Sequence, residues 1–259
     1  MDGTLYKKLS LKCDGKRFFT VTLNTDGVRP YESSQGSLYP IWLCVNELVP
    51  EQRLRPENLI LTGLWYGKMA PNMCSFFIPF IEEFRELTND GVLCSKANEN
   101  NKDERYFVYP LLCSLDSVAK PKVQRHKQFN GNSACGYCEH PNFEEINGET
   151  VRGYHTGKDY PLRTHHSPKS NMIAAHNLDL EGKLKKTTTS DDSVNGSLGL
   201  SPLLAFEESF DIVWGFPIDY MHNALEGVMP LLIRIWTDGQ YSDKDFYLSP
   251  TCNRSINVF

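Results

Sequence analysis

A chain of 259 residues, 40% hydrophobic and 23% charged, is long enough for one sizeable core with an insertion, or for two small domains. Its formal net charge of −5 argues against a dedicated nucleic-acid-binding module, usually basic, but not against a DNA-cutting core, whose metal site needs carboxylates. No apolar run approaches the ~20 residues that span a bilayer, and MDGTLYKKLS lacks the apolar stretch of a secretion signal, so the expectation is an intracellular protein without a membrane partner.

Residues 17–25, RFFTVTLNT, are aromatic and β-branched; they predict a strand that ends in the turn signal Asp26-Gly27. Residues 38–48, LYPIWLCVNEL, predict a second strand, with Pro40 placing its start at an edge or a bulge. Residues 58–66, NLILTGLWY, predict a third, and three strands in series predict an antiparallel meander. From 72 to 88 the period changes. Phe76, Phe77, Phe80, Ile81, Phe84 and Leu87 recur at three- and four-residue steps, an amphipathic helix closed by Asn89-Asp90-Gly91. A polar loop over 95–105 leads into the apolar run 106–115, a buried strand that closes on Asp116, and the basic stretch 117–129 predicts a short helix.

Residues 131–200 are rich in Gly, Asn, Ser, Thr, His and Lys, with little apolar periodicity, and 182–199 is low in complexity and expected to be a mobile loop. Apolar character returns over 201–214, and 219–237 predicts a helix with Asp219 as N-cap and Pro230 kinking or interrupting it. The expected fold class is α/β, an α+β mixed sheet. The expected domains are 1–130 as the core, 131–200 as a Cys/His-containing, partly disordered insertion, and 201–259 as a helical segment.

Three groups of residues could carry chemistry. Asp26 and Asp116 stand at the ends of the first and fourth strands. Two-metal phosphodiester chemistry needs carboxylates converging on Mg²⁺ ions, and neighbouring strands would bring this pair face to face. Equally, Asp-Gly is a turn and Asp116 a helix cap. Cys135-Gly-Tyr-Cys138 can place two thiolates on one zinc. His140 is near, and His155, His165, His166, His176 and His222 are farther; free thiols are the alternative. The other six cysteines, mostly single in apolar runs, read as small hydrophobes in a reducing compartment. Third, Asp219, His222 and Glu226 put acid, imidazole and acid at helical spacing, for metal or acid–base work or as a polar helix face. The basic group Lys120, Lys122, Arg125, His126, Lys127 could touch phosphates or be a solvated face.

Four blocks in order, NTDGVRPYESSQGSLYPIW, ENLILTGLWYGKMAPNM, LDSVAKPKVQRHKQFNGNSACGYCEHP and SPLLAFEESFDIVWGFPIDYMHNALEGVMPLLIRIW, resemble transposases of the CACTA (En/Spm-like) group in their animal forms, over roughly residues 1–237. The resemblance implies an RNase H-like core with a DDE/D active site that cuts and joins DNA. It places the first acid on Asp26 and the second on Asp116, both binding Mg²⁺ (or Mn²⁺). It also puts Cys135 and Cys138 on a Zn²⁺ shared, in relatives, with two downstream histidines. DNA carrying the element's ends is the implied partner, the nucleus the implied location, and homo-oligomerisation stays open. The histidine pair and the third acid are not found after IRIWTD, and Glu226 lies upstream of where that acid belongs. The chain is therefore expected to be a C-terminally incomplete transposase remnant, inactive alone; the alternative is a non-catalytic DNA- or protein-binding protein that keeps the fold.

Overall fold

The structure, a computed structural model, describes residues 3–95, 103–146, 149–154, 158–183 and 193–248. The meander forms as expected. β1 (Arg17–Asn24) pairs antiparallel with β2 (Ser37–Val45), and β2 with β3 (Ile60–Gly67). The chain then crosses the sheet through α3 (Met73–Phe76) and α4 (Ile78–Asn89) and returns as a hairpin of β4 (Val92–Ser95) and β5 (Asp103–Cys113). β5 lies parallel to β1, so the mixed sheet has the order β3-β2-β1-β5-β4, with β1 at its centre. Two short pieces complete this half: α1 (Thr4–Lys12) before the sheet and α2 (Pro50–Arg53) between β2 and β3.

Each face of the sheet has its own core. On one, Phe77, Phe80 and Phe84 pack with Val21, Leu23, Ile41 and Leu43, and the rings of Phe80 and Phe84 meet Phe206 edge to face. Each buried Phe contributes about 2 kcal/mol, so burial rather than propensity holds α4. The predicted helix over 72–88 divides at Phe77 because Pro79, in the first turn of α4, has no N–H to continue the α3 ladder. On the other face Leu9 and Cys13 of α1 pack on Tyr109 and Leu111 of β5.

Both prolines inside strands sit where the ladder lets them. β1 ends at Asn24, opposite Trp42, so at Pro40 β2 pairs with β3 alone and is locally an edge, next to a register shift at Ile41/Trp42. Pro110 pairs with Val21, and the register of β1 on β5 shifts at the next residue.

Several expectations are corrected. The loop over 95–105 is in part strand, since 103–105 open β5 and 92–95 form β4; 96–102 lie outside the described residues. The basic helix is α5 (Ala119–Gln124) only, because Arg125 turns left-handed at φ 55° and stops it. The insertion is more regular than its composition suggests. It holds the hairpin β6 (Phe143–Ile146) and β7 (Glu149–Arg152), and the 15-residue helix α6 (His166–Leu180), which buries Pro168, Met172 and Ala175. Of the loop expected over 182–199, residues 184–192 lie outside the described ones, whereas 193–198 form a turn fixed by Lys127 N–H to Gly196 O (2.8 Å) and Leu198 N–H to Arg125 O (2.8 Å).

Residues 1–217 group as one compact unit and 218–259 as a second. In the second, the predicted helix begins as a π-helix, Met221–Val228, and continues as α7 (Met229–Thr237). In α geometry the Pro230 ring would strike the Glu226 carbonyl; the wider π turns upstream move that carbonyl aside.

Candidate functional site

β1 and β5 run side by side, and their ends are tied together. Ser114 N–H donates to Leu23 O (2.8 Å) and Asn24 Nδ2 donates to Ser114 O (2.8 Å). Asp26 lies two residues beyond Asn24, and Asp116 two beyond Ser114. Two extended residues span at most ~7 Å, so both acids are confined to the same end of neighbouring parallel strands. Asp26 is exposed and its Oδ1 accepts the N–H of Gly27 (2.6 Å); Thr25 before it is 1% exposed and anchors the turn. Asp116 Oδ1 accepts the N–H of Val118 (3.0 Å) and that of Ala119, the N-cap pattern for α5. The cap expected of Asp116 is therefore real. It uses one oxygen and leaves Oδ2 for another partner.

α5 connects this end of the sheet to the cysteine turn. One turn after Asp116, Lys120 Nζ lies 3.8 Å from the centre of the Tyr137 ring and donates to its hydroxyl, which in turn donates to Phe216 O (2.6 Å). Burial pulls the Lys120 ammonium down to about 8, against the opposing pull of Cys135 and Cys113. Gln124, also on α5, is buried and donates to Ile212 O (3.0 Å).

Cys135 and Cys138 do point at one another, Sγ to Sγ 3.3 Å. The N–H groups of Tyr137 (3.4 Å) and Cys138 (3.3 Å) both aim at Cys135 Sγ. Burial pushes the Cys138 thiol up, and the adjoining Cys135 adds to that, while the His140 N–H and Arg163 pull it back. Arg163 is the residue that sequence reading missed. It is 2% exposed; its Nε donates to Cys135 O (2.9 Å) and Cys138 O (3.0 Å), and Nη2 to Ser133 O (3.2 Å). Its own strand segment pairs with the turn, Arg163 N–H to Tyr137 O (2.8 Å) and Glu139 N–H to Pro161 O (3.0 Å).

Among the described residues no histidine completes this pair. His140 Nδ1 accepts the N–H of Asn142 (2.8 Å), which puts the ring proton on Nε2 and removes it as a ligand in this arrangement. His165 Nδ1 accepts the N–H of Ile212 (3.3 Å), His166 opens α6, and His155 lies outside the described residues. Asp219 caps the helix of the second unit, accepting from Met221 N–H (3.0 Å) and His222 N–H (3.2 Å), and pairs with the His222 ring. Burial works to raise the Asp219 carboxyl, but these donors outweigh it and hold it below the usual range. Among the described residues no group of three or more His, Cys, Asp and Glu side chains is placed to hold a metal ion. Two acids thus follow the ends of neighbouring parallel strands, and two thiols face each other in the cysteine turn.

The first unit is thus a mixed α/β fold with an acid after each of two adjacent parallel strands. The model of the Transposase family tnp2 matches residues 4–185, and the chain belongs to that family. No curated protein matches it. Among the described residues no helix is long and apolar enough to cross a membrane.

Proposed function

We propose that this chain derives from a CACTA-type DDE/D transposase of the animal form, with the sheet and α4–α5 as its RNase H-like core and the nucleus as its place of action. The observation that carries the reading is the placement of Asp26 and Asp116 at one end of neighbouring parallel strands, inside the stretch that matches the transposase family. Asp26 and Asp116 Oδ2 would hold Mg²⁺ or Mn²⁺, which when bound activates water and stabilises the leaving oxygen of a phosphodiester. Cys135 and Cys138 would give two of the four ligands of a structural Zn²⁺, and Arg163 would set their turn.

Two acids hold Mg²⁺ loosely, because Mg²⁺ keeps several waters and asks for near-octahedral oxygen ligands. A second metal without its own carboxylate is misplaced, and ~1 Å of misplacement costs on the order of 100-fold in rate. Residues 1–259 alone are therefore expected to neither nick nor join DNA that carries the parent element's ends, with Mg²⁺ or Mn²⁺. Metal-dependent nicking that vanishes in both Asp26→Ala and Asp116→Ala would overturn the expected inactivity and make Glu226 the first candidate for the third acid. The engaged Oδ1 of Asp116 favours a second reading, in which the fold is kept for binding and the acid serves as a cap. Under it, Asp116→Asn, which still caps, leaves every property unchanged.

A further inference from the structure

Cys135 and Cys138 differ from the other described cysteines. Cys13, Cys44 and Cys113 are buried in the cores, and Cys94 is exposed, opposite Glu104 in the β4–β5 hairpin. Cys135 and Cys138 are both free and only half-buried, with their sulfurs 3.3 Å apart. A disulfide has its sulfurs ~2.05 Å apart, so closure draws them together by about 1.2 Å. The backbone of the turn is held by bonds that use no sulfur. Arg163 Nε donates to Cys135 O (2.9 Å) and Cys138 O (3.0 Å), and the Arg163 N–H donates to Tyr137 O (2.8 Å). These bonds keep the two sulfurs together before oxidation and are not broken by it. The ring so closed spans only residues 135–138. Cross-linking so short a segment removes little entropy from the unfolded chain, so the bond adds little stability and is readily reduced.

We infer that Cys135 and Cys138 form a reversible disulfide by exchange with a low-molecular-weight disulfide of the glutathione class. One thiolate of the pair attacks a sulfur of glutathione disulfide, which gives a mixed disulfide on the protein and releases one glutathione. The second thiolate then attacks the protein sulfur of that mixed disulfide, forms the Cys135–Cys138 bond and releases the second glutathione. The two protons given up by the protein thiols end on the two glutathione thiols, and the two electrons lost by the protein reduce the glutathione disulfide. With the second sulfur already in contact, the closing step is intramolecular, and the mixed disulfide is short-lived. The oxidised pair has no thiolate to offer a metal. Loss of zinc on oxidation therefore follows, a consequence that rests on the zinc reading, whereas the exchange itself does not.

The test incubates the full chain, in EDTA, in buffers of rising glutathione disulfide to glutathione ratio. Acid quenches the exchange, N-ethylmaleimide labels the remaining thiols, and mass spectrometry reads the peptides. In the wild type the peptide holding both residues is expected to lose both labels and to be lighter by the mass of two hydrogens. A glutathione adduct on it is expected in less than about a tenth of the molecules. Cys135→Ser and Cys138→Ser are each expected to keep the adduct on the remaining cysteine, as Cys94 does in every variant, and dithiothreitol to restore the wild-type thiols. Wild-type protein that keeps both labels in the most oxidising buffer, or accumulates adducts there without the internal bond, would overturn the inference. In a second arm Zn²⁺ replaces EDTA. Because the metal holds only the reduced pair, it is expected to slow closure by about tenfold or more. Closure at an unchanged rate would overturn the zinc reading and leave the exchange standing.

Discussion

The guanidinium of Arg163 is surrounded by protein and donates to three backbone carbonyls, with no carboxylate hydrogen-bonded to it among the described residues. Removing it strands those carbonyls and frees the turn that aligns Cys135 with Cys138. Hydrogen bonds from a charged group contribute about 1.5–3 kcal/mol, so Arg163→Ala is expected to cost about 3 kcal/mol or more in urea denaturation, and Arg163→Lys, a point donor without the fork, to recover only part. A loss under 1 kcal/mol would contradict the role. His126 makes a second residue-scale prediction. It is 4% exposed, and burial first, then the charge of Arg163, pulls its imidazole down to about 4. The unfolded chain takes up this proton near pH 6.5 and the folded one only near 4, so stability falls as pH drops through that window. At about 1.4 kcal/mol per pH unit, the loss is at most about 3 kcal/mol, and His126→Gln is expected to flatten the curve between pH 6.5 and 4. An unchanged curve in that variant would assign the acid lability elsewhere.

Among the elements, the turn at 193–198 shows how the insertion is fastened to the core. Gly196 has φ +85°, and a Cβ there would stand 2.2 Å from Ser133 O and 2.4 Å from the His126 ring. Gly196→Ala is expected to cost at least about 2 kcal/mol and to let water reach His126, raising its pKa towards the ordinary value, measured by NMR titration of the ring. The same variant tolerated without loss would mean that the turn does not cover His126. The sequence carries this fastening only as Asn195-Gly196 in a low-complexity stretch, which reads as a loop. α1 and α6 were illegible for a different reason. Their buried positions are few (Leu9 alone in α1; Pro168, Met172 and Ala175 in α6), too sparse to set a period. Burial depends on neighbours distant in sequence, as with Leu9 on Tyr109. By contrast, β1 and α4 were legible because Phe19, Val21 and Leu23 alternate along one sheet face and the phenylalanines of α4 follow a 3.6-residue stripe, whereas β2 and β3 were legible as apolar runs rich in aromatic and β-branched residues.

At the scale of the whole molecule, the parallel pairing of β1 with β5 decides what the chain can do. Periodicity located both strands and put an aspartate after each, but only the register of Arg17 on Tyr106 through Leu23 on Cys113 makes the two ends neighbours. The sequence order of strand, strand, strand, helix, strand allows that pairing without requiring it. The CxxC turn was legible as a motif, whereas Arg163 was not, because its partners are backbone carbonyls, which leave no trace in residue type. The most direct test of the central claim, that Asp26 and Asp116 together form a metal-binding pair, is Mn²⁺ titration of the full chain by electron paramagnetic resonance, with Asp26→Asn, Asp116→Asn and the double variant. Asn at 116 still caps α5, so the fold is retained. The account predicts weak Mn²⁺ binding by the wild type, weakened about tenfold or more by either substitution, with the double variant little worse than either single one, as two ligands of one ion require. Wild-type binding in both single variants would contradict it.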